Sequence, residues 1–171
     1  MDFLRCIVGP SNEEVRRLAV PVQVSGIVIN VLHPLLCLES RLANIEVLPA
    51  KRRGNGPVQA EWSIDIVTAF LRKLIEDEVP AREVIRACHT VAGSAEYRHG
   101  RYCYENFRVD PLRAVTDDVL EKIGGRFQSE DWPRTVVRIN LKREHWVAMA
   151  ARQSRTAHVA AESNDSASGE G

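Results

Sequence analysis

The sequence predicts an α+β fold that is predominantly α-helical, with a short N-terminal β-hairpin followed by an antiparallel helical array. Two observations lead to this class. Residues 20–32 are rich in β-branched side chains around one Ser-Gly turn, a pattern typical of a hairpin. Beyond residue 34, apolar side chains recur every three or four positions over several segments, which is the period of helices that pack on a common core.

The first 33 residues form the predicted β element. Residues 3–8 are an apolar run that ends at a Gly-Pro pair, which favours a short buried strand. Ser11 and Glu14 have the spacing of a capping box, so a short helical turn should follow. The hairpin then turns at Ser25-Gly26, and its second strand leads into the first long helix.

Prolines divide the middle of the chain into three predicted helices. Pro34 suits the first turn of a helix, because the N–H that proline lacks would be unpaired there, and Pro49 ends that helix. A longer helix begins near Val58 and breaks at Pro80, and a third covers residues 81–97. Leu38 and Leu71 lie on the apolar stripes of the first two helices, and we expect them to be core residues on facing helices.

Weaker signals organise the last third. Residues 99–110 combine Gly, Tyr, Cys and Phe, which indicates a loop. Asp110 should cap a helix that a Gly-Gly pair ends after residue 123. Ser129 or Asp131 should cap the last helix, which has Pro133 in its first turns and an apolar stripe beyond it.

The predicted organisation is one domain over residues 1–155 and a tail. Within the domain, residues 1–33 form the β element and residues 34–155 the helical array. Residues 156–171 are mostly Ala, Ser, Asp, Glu and Gly, offer little to bury, and are expected to be disordered.

Composition narrows the class of partner. The 171 residues carry 23 basic and 23 acidic side chains, so no net charge favours nucleic acid or an anionic membrane. No apolar run approaches the roughly 20 residues of a membrane span, so no membrane association is expected. The four cysteines are widely spaced, and no secretory signal opens the chain, so the cytoplasm, with reduced thiols, is the expected location.

Metal and nucleophile motifs are weak. His33 and Cys37 are four residues apart, as are His99 and Cys103, but structural zinc sites usually contain closely paired cysteines. A chain with four Cys and five His contains such pairs by chance. We therefore expect neither a metal nor another cofactor.

Three segments together resemble the back half of a bacterial nucleotidyltransferase-fold protein of the abortive-infection type. They are Asp2-Phe3-Leu4, the strand and helix start at residues 28–34, and the helix with its basic end at residues 39–52. The resemblance implies that Asp2 corresponds to the third catalytic carboxylate. The family's Gly-Ser turn and Asp-x-Asp pair have no counterpart in this sequence. One carboxylate cannot hold the Mg²⁺ that nucleotidyl transfer needs, so no catalytic residue is assigned.

Two segments are the predicted partner-binding residues. The first is the basic, turn-rich stretch Lys51, Arg52 and Arg53. In the second, arginines alternate with aromatic side chains, a combination that suits protein interfaces and also stacking on bases. Its members are Arg98, Arg101, Tyr102, Tyr104 and Arg108.

The sequence leads to one functional hypothesis with two alternatives. The first is a non-catalytic protein derived from a nucleotidyltransferase-like fold that binds another protein or complex, such as an inhibitor or regulator of a bacterial or phage defence complex. The second is a subunit or fragment that needs a separate catalytic half. The third is a nucleic-acid-binding module, which the neutral net charge disfavours.

Overall fold

The computed structural model describes residues 7–167, with side chains as far as residue 149. It confirms the α+β, predominantly helical class: a two-stranded antiparallel sheet precedes a series of helices. The predicted strand at residues 3–8 and the Asp2 carboxylate lie almost wholly outside the described residues. No helix in the described part of the chain is long and apolar enough to cross a membrane.

A capped helical turn and a hairpin open the described chain. Helix α1 spans Asn12–Leu18. The Ser11 hydroxyl accepts a hydrogen bond from the Glu14 N–H at 3.2 Å, and Glu14 Oε2 accepts one from the Ser11 N–H at 3.1 Å, so the predicted capping box is confirmed. Strands β1 (Val20–Val24) and β2 (Ile27–Val31) follow.

The hairpin turn is also as predicted. Ser25 and Gly26 have φ angles of 49° and 81°. Positive φ at both central residues is the geometry of a type I′ turn, whose twist matches that of the flanking strands. The register pairs Val20 with Val31 at the base and Val24 with Ile27 beside the turn.

Seven helices and two short helical segments make up the array. The helices are α2 (Pro34–Val47), α3 (Pro49–Arg53), α4 (Gly56–Glu76), α5 (Ala81–Glu96), α6 (Arg98–Phe107), α7 (Asp117–Ile123) and α8 (Trp132–Ala167). A 3₁₀ turn covers Pro111–Ala114, and a π-helical segment covers Phe127–Asp131. Helix α2 is central and packs mainly on α4 and α6.

One hydrophobic cluster joins these helices, apart from α3. Leu38 of α2 and Leu71 of α4 are both fully buried, as the apolar stripes predict. Cys88 of α5 and Cys103 of α6 are buried in the same cluster, where a free thiol packs as a small apolar group. Ile139 anchors α8 to it. The core is therefore built from the helices and excludes the hairpin.

The basic, turn-rich stretch and the segment predicted to be a loop are both helical. Residues 49–53 form α3, with Pro49 in its first turn, and the basic stretch is its last turn. Residues 98–107 form α6 because Cys103 is buried against α2, where its thiol lies 3.4 Å from the Leu42 carbonyl oxygen. Tertiary packing outweighs the weak helix propensity of a Gly- and Tyr-containing segment.

The α5–α6 junction depends on the absence of a side chain at Gly100. A Cβ there would lie 1.8 Å from the Ser94 carbonyl oxygen, a distance that no side chain could occupy. Glycine at this position therefore permits the close approach of the two helices and is not a loop signal.

The helix ends in the last third differ from prediction. Asp110 does act as a cap, accepting from the Leu112 N–H at 3.1 Å, but it caps the 3₁₀ turn, and α7 begins only at Asp117. Neither Ser129 nor Asp131 caps α8. Both lie within the π-helical segment that runs directly into it, and the Ser129 hydroxyl donates to the Gly125 carbonyl one turn earlier. Gly124 ends α7 as expected.

The C-terminal boundary also differs. Helix α8 continues to Ala167, well into residues 156–171, which composition predicts to be disordered. Alanine has the highest helix propensity, so an alanine-rich segment favours a helix even though its composition offers little apolar surface. The division of the chain at residue 155 stays a prediction.

Candidate functional site

The structure brings the two predicted partner-binding segments together. Helices α3 and α6 both pack on α2, and the Arg52 guanidinium stands 5.2 Å from the centre of the Tyr102 ring. We call the surface formed by these helices and the facing part of α8 the arginine surface. It contains all eight predicted site residues: Lys51, Arg52, Arg53, Arg98, Arg101, Tyr102, Tyr104 and Arg108.

Arg52 is occupied with the backbone of α2. Its Nε donates to the Ile45 carbonyl at 3.1 Å, and its Nη2 donates to the Glu46 carbonyl. These are carbonyls of the last turn of a helix, which have no partner within the helix, and a cation is favoured there by the helix dipole. Arg52 therefore helps to end α2.

Glu46 contacts one more of the predicted cations, Arg98, together with the imidazole of His99. Its carboxylate accepts from Arg98 Nε at 2.5 Å and contacts His99 Nδ1. Burial raises the pKa of the Glu46 carboxyl, but the hydrogen bonds from Arg98 and His99 outweigh burial, so the pKa lies below its usual value. Arg98 is mostly exposed, yet its charge is already neutralised within the chain.

The remaining arginines of the surface contact aromatic rings of α6 and α8. Arg101 pairs with Glu105 at 2.9 Å, and its guanidinium lies 4.5 Å from the centre of the Trp146 ring. Tyr104 is faced by two cations: Arg143 at 3.8 Å and Arg108 at 5.8 Å from the ring centre. These distances suit cation–π attraction.

Arg143, which sequence reasoning did not assign to the core, is the buried centre of this surface. Its side chain is 5% exposed and forms a bidentate pair with Asp110, at 2.7 and 3.0 Å. Its Nη1 also donates to Asn140 at 3.2 Å. The signal in the sequence was slight: Arg143 falls on the same face of α8 as Ile139, one turn away.

Lys51 and Arg53 differ from their neighbours, since among the described residues neither forms an ion pair or a side-chain hydrogen bond. The other cations of the arginine surface already have partners within the chain. Whether it also binds a partner stays a prediction.

A second surface, which the sequence did not single out as a site, is the hairpin. All ten residues of its strands are exposed. The register places six β-branched side chains on one face as three directly opposed pairs: Val20 with Val31, Val22 with Ile29, and Val24 with Ile27. The other face is mixed and carries Pro21, Gln23, Val28 and Asn30.

The signal for this surface was present in the sequence. From Val20 to Leu32 the chain has no charged residue. Exposed sheet edges in soluble proteins usually carry charges, prolines or bulges that prevent association, and this hairpin has only Pro21. The exposed fractions of the six side chains run from 36% for Val22 to 66% for Ile27. We call this surface the apolar hairpin face.

Groups that could perform chemistry are few in the described part of the chain. Burial raises the pKa of the Cys88 and Cys103 thiols to about 12 in each case, so neither is a thiolate at neutral pH. Asp118, at the start of α7, pairs with Arg72 at 2.8 Å, and that guanidinium lowers the pKa of the carboxyl. No three His, Cys, Asp or Glu side chains among residues 7–149 converge as metal ligands.

Comparison with protein-family models, with curated proteins and with solved structures found no match. The resemblance to nucleotidyltransferase-fold proteins therefore stays a prediction from the sequence.

Proposed function

We propose that this chain is a non-catalytic protein-binding module, and that its apolar hairpin face is the contact surface. One observation carries the proposal: six exposed β-branched side chains form a continuous, uncharged face on a hairpin that contributes nothing to the core. Exposed apolar patches of this kind mark interaction sites in soluble proteins.

The energetics favour a covered hairpin. Full burial of a Val or Ile side chain is worth about 1.5–3 kcal/mol, and these six are between about one third and two thirds exposed. A two-stranded hairpin is at best marginally stable in water, and packing against another surface is what normally stabilises it. A partner would thus gain apolar burial and order the hairpin in one step.

The occupant we propose is an uncharged apolar surface of a different protein. The face is about 17 Å long and about 10 Å wide from the spacing of residues and strands. A symmetric pair of such faces would bury far less than the roughly 800 Å² per partner that a specific interface needs. A partner whose surface extends beyond the hairpin reaches that area. The absence of charge between Val20 and Leu32 demands an apolar counterpart.

The resemblance seen in the sequence suggests a more specific role for this module. An inhibitor or regulator of a bacterial or phage defence complex would need a contact surface and no active site. That role rests on the resemblance alone. The nucleic-acid alternative gains no support, because most arginines that would contact phosphate already have partners within the chain.

The two faces of the hairpin provide the test. One variant replaces three side chains of the apolar face by threonine, which keeps β propensity; a control replaces three on the other face. The apolar-face variant is Val22→Thr, Ile27→Thr and Ile29→Thr, and the control is Gln23→Thr, Val28→Thr and Asn30→Thr. Proteins captured from the host by the tagged parent chain are identified, purified and titrated against all three chains.

We expect the captured protein to bind the parent and the control alike and to lose at least tenfold in affinity for the apolar-face variant. Equal binding by all three chains would show that the interface lies elsewhere. A dimer of the parent in analytical ultracentrifugation that the apolar-face variant loses would show that the occupant is a second copy.

A further inference from the structure

A cavity of about 480 Å³ lies between α2, α5 and the start of α6, away from the hairpin and beside the arginine surface. Its size falls in the range of small-ligand sites. Leu42 and Gly93 contribute apolar lining, and the Tyr97 ring stands at its rim. A Cβ added to Gly93 would lie 3.6 Å from that ring, so the absence of a side chain at Gly93 leaves space beside the aromatic surface.

The charged groups around the cavity are paired, with one exception. Arg86 pairs with Glu83 at 2.6 Å, and His99 contacts the carboxylate of Glu46. Glu39, half-buried on α2, has no hydrogen bond or ion pair with any residue in the described part of the chain. It is therefore the unmatched charge of the lining.

The surroundings of Glu39 disfavour its charge. Burial raises the pKa of the Glu39 carboxyl, the nearby Glu14 carboxylate raises it further, and His99 opposes both. A partly desolvated carboxylate without a counter-ion is less stable in its charged form than a carboxylate in bulk water. A cation that enters the cavity would remove that cost and would gain a charge-assisted hydrogen bond.

We propose that this cavity binds a small organic cation, an ammonium or guanidinium group on a short apolar stem, with Glu39 as its counter-ion. The Tyr97 ring offers a second favourable contact, because cations are attracted to aromatic faces. The apolar lining suits the stem. A bare metal ion fits poorly, since one carboxylate supplies too few oxygen ligands for Mg²⁺ or Ca²⁺.

The cation has two sources, a free amine or the Lys or Arg side chain of a peptide. The full chain is titrated with agmatine and spermidine as free cations, and with N-acetyl-arginine amide as the peptide form, by isothermal calorimetry or by NMR shifts. N-butylacetamide serves as a neutral ligand of similar shape. Saturable binding of agmatine or spermidine alone supports a free amine, and binding of the arginine amide alone supports a peptide.

Three variants make the test specific. Glu39→Gln keeps the shape and removes the charge, and we expect it to weaken cation binding at least tenfold. Glu121→Gln removes an exposed carboxylate on α7 and should bind as the parent does. Gly93→Ala places a methyl group in the cavity beside Tyr97 and should weaken binding while raising the melting temperature, because alanine favours a helix over glycine.

The proposal fails if no cation binds the parent below about 10 mM, if the neutral ligand binds equally well, or if Glu39→Gln binds as tightly as the parent. The apolar-face hairpin variant should retain full cation binding, so this result is independent of the proposed function.

Discussion

The two ends of helix α2 support surfaces of opposite character. The apolar hairpin face precedes its first turn, and the arginine surface surrounds its last; the 14 residues of the helix separate them by about 21 Å. Charge marks the arginine surface as the interaction site in the sequence. In the structure most of its cations contact carboxylates, carbonyls or aromatic rings. The side chains of the apolar hairpin face instead stay exposed, and no helix in the described part of the chain covers them.

The difference lies in what a partner would gain at each surface. A partner that binds Arg98 must compete with Glu46, and one that binds Arg101 must compete with Glu105 and Trp146. A partner that covers Val22 or Ile29 displaces only water. Exposure alone is therefore a poor guide to whether a side chain can bind a partner. Whether the side chain already has hydrogen-bond or ion-pair partners within the chain is a better guide.

The largest expected loss of stability comes from a substitution that tests whether the arginine surface stabilises the fold. Asp110→Asn keeps the cap on the 3₁₀ turn but leaves the buried Arg143 charge without its bidentate partner. Loss of one partner from a buried pair costs about 3–5 kcal/mol. The free energy of unfolding from urea titration should fall by that amount. Glu130→Gln, which breaks an exposed pair with Arg134, should cost about 0–1 kcal/mol. Equal small losses would mean that Arg143 is effectively solvated.

The next effect separates two adjacent arginines. Arg52→Ala removes two hydrogen bonds to the end of α2 and should lower the free energy of unfolding by about 1–2 kcal/mol. Arg53→Ala, one residue later, should change it by less than about 0.5 kcal/mol. If both substitutions were neutral, the backbone contacts of Arg52 would contribute no net stability and its side chain would be available to a partner.

A smaller effect is expected for the hairpin in the isolated chain. Each of the three threonine substitutions at positions 22, 27 and 29 should change the free energy of unfolding by less than about 0.5 kcal/mol, since exposed substitutions are nearly neutral. Its solubility should rise, which can be measured by precipitation with ammonium sulfate. A loss of several kcal/mol would show that the hairpin is packed in the free protein, and would remove the contrast with the arginine surface.

The smallest effect concerns Glu39, which lies between the two surfaces on α2. Its pKa is raised in the folded state, so the unfolded chain loses the proton first as pH rises. Its protonated form therefore favours folding below the unfolded pKa, and that contribution is lost as pH rises through the folded pKa. The free energy of unfolding of the parent minus that of Glu39→Gln, measured from pH 3 to 7, should therefore decrease as pH rises. Identical profiles would mean that Glu39 is fully solvated.

Local signals predicted much of the fold. Ser25-Gly26 produced the hairpin, Ser11 and Glu14 formed the capping box, and Pro34 lies in the first turn of α2. The apolar stripes located the core at Leu38 and Leu71. Each of these depends on residues within one turn or one helical period of each other, where backbone sterics and side-chain spacing act without help from the rest of the chain.

The site was predicted less well, because its character depends on residues far apart in the sequence. Glu46 meets Arg98, Asp110 meets Arg143, and Arg101 meets Trp146 only when the helices have packed. The same packing makes a helix of residues 98–107, forms the open cavity beside Glu39, and leaves the hairpin outside the core.

The sequence by itself thus determined the local elements and the identity of the core face, since propensity, capping and periodicity are short-range effects. Only the tertiary structure decided which charges are neutralised and which apolar side chains stay in contact with water. Those outcomes depend on burial and on distances of a few ångströms between separate helices, to which electrostatic and hydrophobic free energies are most sensitive.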